Sequence, residues 1–176
     1  MKHIVGGVLG AAVLAAGVAV SAANAQPSAP EVPGTLVPPA GNKVYLVTHA
    51  VGVQIYRCDA GAGSWMLVAP RANLYGDNGN FVGSHFGGPT WQARDGSYVT
   101  GTKKAEASVD AGAIDWLLLE KRTRSVGLGG DRFADTTFIQ RVATTGGRAP
   151  APAECDVEGE TAEIPYTADY YFWKAA

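Results

Sequence analysis

Trp91-Gln92-Ala93-Arg94-Asp95-Gly96-Ser97-Tyr98-Val99-Thr100 is the stretch on which the fold class turns. Aromatic and β-branched residues alternate with polar ones on either side of an Asp-Gly pair, the pattern of two antiparallel strands joined by a tight turn. A type I′ turn needs positive φ at both central residues, which Gly takes freely and Asp tolerates. A hairpin is therefore expected here, with Asp95-Gly96 at its tip.

The same pattern continues outward. Short apolar runs rich in β-branched and aromatic residues fall at 43–48, 53–58, 65–69, 81–85, 90–93, 98–102, 114–121, 137–142 and 163–172. Gly, Asp and Asn clusters separate them, and 59–63 and 77–80 read as longer hairpin loops of one meander. Nine short strands with frequent turns predict an all-β domain, a single antiparallel β-sandwich or β-barrel. The ambiguous segment is 103–124, where Ala105 to Ala113 favours a helix but Gly112 interrupts it. Trp116, Leu117, Leu118 and Leu119 are apolar on both parities, which fits a strand buried on two faces as well as a core helix. The expectation is a strand preceded by a short helical turn.

The ends of the chain set the compartment. Lys2 precedes an apolar run from Ile4 to Val20, and Ala23-Asn24-Ala25 follows. This is a secretory signal pattern, with cleavage expected after Ala25. The run is shorter than the roughly 20 residues of a membrane span and lacks a basic stop-transfer cluster, so no integral membrane segment is expected after cleavage. Residues 26–42, with Pro27, Pro30, Pro33, Pro38 and Pro39, read as a flexible or extended Pro/Ala-rich leader, and 43–176 as a single β-rich domain. The expected location is the periplasm or the exterior, where the only two cysteines, Cys58 and Cys155, pair as one disulfide.

Without the signal's Lys2, 16 Asp and Glu face one fewer than the chain's 14 Lys and Arg. A mildly acidic domain whose longest basic patch is Lys121-Arg122-Thr123-Arg124 is a poor partner for nucleic acid. Gly127-Leu128-Gly129-Gly130 does not spell a dinucleotide-binding turn, and no cofactor is expected.

Several strings occur together in order: Gly52-Val53-Gln54-Ile55-Tyr56-Arg57-Cys58, Gly83-Ser84-His85-Phe86-Gly87-Gly88-Pro89-Thr90-Trp91, Ile139-Gln140-Arg141-Val142, and Pro165-Tyr166-Thr167-Ala168-Asp169-Tyr170-Tyr171-Phe172. With Trp65, Asp95-Gly96-Ser97, Trp116 and Cys155, they resemble the domain-of-unknown-function family 3455 of exported bacterial and fungal proteins. The resemblance implies a single exported domain and a Cys58–Cys155 pair. It brings no established activity, cofactor or catalytic residue.

Functional candidates follow from parity and scarcity. Gln54, Tyr56 and Cys58 share one face of a regular strand. A buried cysteine pair turns Gln54 and Tyr56 inward, where the amide needs a backbone carbonyl or a ligand. Of three histidines, only His49 and His85 lie outside the signal. His85 precedes Phe86-Gly87-Gly88-Pro89 and either fixes that turn through a loop carbonyl or faces a site. The expected site is an aromatic pocket around Gln54, Tyr56, His85 and Trp91, holding a small, partly apolar ligand.

The expected function is a periplasmic small-molecule-binding or envelope-associated β-domain, and the competing readings are a hydrolase-like or metal-assisted enzyme centred on His85 and a structural or interaction protein without a pocket. Ser84 and His85 are neighbours and point to opposite faces of a strand, and no nucleophile elbow is present. A metal site would have to recruit Asp77, Asp95, Asp131 or Asp135, which spacing does not bring together, and none is expected. The sequence leaves oligomeric state open.

Overall fold

The structure, a computed structural model, describes residues 26–176. Eight antiparallel strands follow one another around a closed barrel, each bonded to its sequence neighbours, with the last closing on the first. They are β1 (Asn42–Asp59), β2 (Ser64–Tyr75), β3 (Phe81–Phe86), β4 (Thr90–Ala93), β5 (Tyr98–Ala107), β6 (Trp116–Ser125), β7 (Phe138–Gly146) and β8 (Thr161–Ala175). Barrel rather than sandwich is thus the outcome, and the all-β expectation holds. The expected signal segment lies outside the described residues.

Eight strands form where nine were expected, because 43–48 and 53–58 are one strand. Gly52 sits between them without breaking the ladder. A Cβ there would lie 2.2 Å from the Arg71 carbonyl oxygen of β2, so glycine serves close strand approach rather than a turn.

The Asp95-Gly96 hairpin forms, but not as type I′. Only Gly96 has positive φ, +86°, while the Asp95 carboxylate accepts from Ser97 N at 2.8 Å, Ser97 Oγ at 2.6 Å and Arg132 N at 3.0 Å. The loop has three residues, Arg94 to Gly96, closed by Ala93 N on the Ser97 carbonyl at 2.9 Å, so a left-handed residue is needed only at Gly96. The segment before β6 is a turn closed by Ala113 N on the Asp110 carbonyl at 3.2 Å, not a helix. Ala105 to Ala107 extend β5 instead.

Inward residues alternate along the strands. Ala50, Ala72, Leu74, Trp91, Tyr170 and Phe172 belong to the interior cluster. Phe133, from the β6–β7 connection, is fully buried against Phe172 with ring centroids 4.6 Å apart and belongs to the same cluster. At the other end Cys58 and Cys155 are bonded across 97 positions, a closure worth roughly 4–5 kcal/mol in the chain-entropy picture.

The two-sided apolar run of β6 has a physical cause. Leu119 and its partner Ile139 face the interior, whereas Leu118 and its partner Gln140 share the outer face, and all four are buried. The outer pair is covered by the leader. Its 3-10 turn Gly34–Leu36 places fully buried Leu36 there, Gln140 Nε2 donates to the Leu36 carbonyl at 2.8 Å, and Trp173 Nε1 donates to Gln140 Oε1 at 2.8 Å. Gln26 Nε2 adds a bond to the Val44 carbonyl at 3.0 Å. The leader is therefore part of the folded unit rather than a free segment, because it shields an apolar patch the barrel cannot bury by itself.

Candidate functional site

The cavity nearest the expected site arises from unequal strand lengths. The β2–β3 ladder stops at Ala72–His85 and the β4–β5 ladder at Thr90–Thr100. Below the turn 87–89, β2 and β5 thus face each other across a gap with no strand between. A cavity of about 250 Å³ sits there, with Leu67, Val68 and Pro70 of β2 on one side and Lys103 of β5 on the other. That is the volume of about eight water molecules. Leu67 and Val68 at its mouth are exposed.

Three of the four expected residues line this cavity: Gln54 from β1, His85 from β3 and Trp91 from β4. Tyr56 does not. Its hydroxyl donates to the Gly147 carbonyl at 2.6 Å, and its ring lines an adjoining cavity of about 340 Å³. The two cavities share Leu67, Lys103, Leu117 and Arg141 in their walls. The inward parity of Gln54, Tyr56 and Cys58 is as expected, since all three are buried.

His85 is held from three sides. It stacks on Trp91 at 4.4 Å and 13°, and meets the Tyr170 ring edge-on at 5.0 Å. Its Nδ1 lies 2.8 Å from the Thr90 carbonyl, which accepts only, so Nδ1 carries the proton and Nε2 is left as an acceptor. Burial pushes its pKa down to about 3. The ring is neutral near pH 7, fit to accept a hydrogen bond and poorly matched to general-base work at that pH.

Two other wall residues carry unanswered donors. Gln54 Nε2 and Trp91 Nε1 are buried with no hydrogen-bond partner among the described residues. Such atoms are uncommon in folded proteins, and each costs about 1–3 kcal/mol if it stays unpaired. Gln54 is also packed closely, for a Cβ at Gly147, whose φ is +78°, would come within 3.2 Å of its Cγ. A third atom of this kind, Thr48 Oγ1, belongs to a residue outside the cavity wall.

Sequence reasoning missed Arg141 and Tyr170. Leu117, Arg141 and Tyr170 are register partners on β6, β7 and β8, and together form one row of the wall. The signal was present in parity: Arg141 lies two positions from inward Ile139, so a charge was due on the barrel's inner face. Arg141 Nε and Nη2 donate to the Asp115 carbonyl at 3.0 and 2.8 Å.

The carboxylates lie elsewhere. His49 Nδ1 is 2.7 Å from Asp169 and its Nε2 3.0 Å from Asp77, so Asp77 reaches a histidine other than His85. Among the described residues, no group of three His, Cys, Asp or Glu side chains has the arrangement to hold a metal ion. No helix among them is long and apolar enough to cross a membrane.

Comparison with curated proteins and with solved structures gives no match. A family model does match: the one described as "Protein of unknown function (DUF3455)" covers residues 76–174. That span holds β3 to β8, including His85, Trp91, Arg141 and Tyr170, and leaves out β1 and β2 with Gln54 and Tyr56. More than half of the 176-residue chain is matched, and the protein belongs to the DUF3455 family.

Proposed function

We propose that this protein is an exported small-molecule-binding β-barrel whose ligand occupies the cavity beneath the β3–β4 turn. The observation that carries this reading is a mostly apolar cavity with half-buried Arg141 in its wall, whose lining residues Gln54 and Trp91 each hold a buried donor without a partner among the described residues. A few polar groups in an apolar, largely preformed recess are the usual form of a ligand site. The neutral His85 ring stacks on Trp91 behind this wall, and exposed Leu67 and Val68 supply apolar surface at its edge. Export is supported by the apolar N-terminal run ending in Ala23-Asn24-Ala25 and by the Cys58–Cys155 bond, which belongs to an oxidising compartment.

The enzyme reading is less well supported. An enzyme centred on His85 needs a carboxylate or second histidine beside that ring, and the cavity wall holds neither. The test is native mass spectrometry of protein purified unrefolded from the periplasm, with His85→Ala alongside. A retained mass, lost in the variant, is expected. Apo protein from every preparation, combined with no thermal shift against a library of small apolar compounds, would overturn the proposal.

A further inference from the structure

Resting on that reading, we infer that the ligand is an apolar carboxylic acid, bound with its carboxylate at Arg141 and its apolar body against Leu67, Val68 and Leu117. The charges of the cavity point to this class. Its wall contains two cations, Lys103 and Arg141, and no carboxylate. Lys103 is already paired with Glu106 at 2.7 Å. Arg141 is half-buried and forms no ion pair among the described residues. The Asp115 carbonyl takes two of the five N–H groups a guanidinium offers.

A partly desolvated guanidinium without an anion is costly, and a carboxylate answers it with short charge-assisted bonds. Arg148, also without an ion pair among the described residues, lines the adjoining cavity, where Lys103, Arg141 and Arg148 stand against Glu106 and Asp115. Leu67 and Val68, exposed along the gap, give an apolar edge over which the body of the acid can enter.

The experiment is a calorimetric titration of the unaltered full domain with three probes of one shape: 3-phenylpropionate, 3-phenylpropionamide and 3-phenylpropylamine. The acid is expected to bind about tenfold or more tightly than the amide, the difference between charge-assisted and neutral hydrogen bonds, and the amine not at all. Arg141→Gln should bring acid and amide to equal affinity. Arg141→Lys, which keeps the charge and loses the fork, should restore part of the difference. Equal binding of acid and amide by the unaltered protein overturns the acid assignment and leaves small-molecule binding standing. Tighter binding of the amine does the same, and binding of none of the three up to 10 mM overturns the acid assignment for bodies of this size. Failure of the broader proposal shows separately, in apo masses and a silent library screen.

Discussion

Replacing Gln54 by leucine separates a residue kept for a ligand from one kept for the fold. Gln54 is 1% exposed, and its Nε2 has no partner among the described residues. Leucine is close in volume and removes the stranded donor, so the cost of about 1–3 kcal/mol for an unsatisfied buried polar group is relieved. Imperfect shape takes back part of this, leaving an expected net gain of about 1–2 kcal/mol. For a chain of this size that is a rise in Tm of roughly 2–8 °C. Urea denaturation should show the midpoint moving up with m unchanged, marking a change in stability rather than compactness. The same variant should lose the retained ligand, the usual exchange between stability and function at a binding site. A loss of more than about 1 kcal/mol would refute the reasoning, because it would mean the amide is satisfied within the fold.

Other perturbations test the remaining parts. Between its folded pKa of about 3 and the ordinary value near 6.5, His85 binds a proton in the unfolded chain but not in the native one. Stability therefore falls with acid through that window, by about 2 kcal/mol at pH 5, and His85→Phe should flatten that part of a Tm-against-pH curve; an unchanged acid slope would show that His85 is solvated. His49 behaves oppositely: its hydrogen bond to Asp169, with that to Asp77, holds its pKa above the ordinary value. Its contribution is complete below about pH 6.5 and lost as pH rises through the raised value. Because the ring is partly exposed the effect stays under about 1 kcal/mol, and an alkaline decline identical in His49→Gln would exclude it. Leu36→Ala should cost about 2–3 kcal/mol by chemical denaturation and speed proteolysis of the leader, whereas a change below about 0.5 kcal/mol would mean the leader is dispensable.

The site was legible to the extent that it depended on parity. Gln54 and Tyr56 were placed inward because side chains alternate along a strand, and the same rule applied to Arg141 would have found it. What parity could not tell was that Tyr56 spends its hydroxyl on the Gly147 carbonyl while Gln54 has no such partner. That distinction depends on a loop 91 positions away in the chain. The Asp95-Gly96 turn was located correctly and typed wrongly, because the loop closes from Ala93 to Ser97 over three residues rather than two.

Alternation, turn residues and the paired cysteines by themselves determined an all-β domain with one disulfide, because side-chain period and turn chemistry act over a few residues. Tertiary structure alone decided that the sheet closes, that the leader covers Leu118 and Gln140, and that β3 and β4 end early enough to open a cavity beside Arg141. Each of these depends on where segments distant in sequence meet, and burial, register and unpaired donors are properties of that meeting.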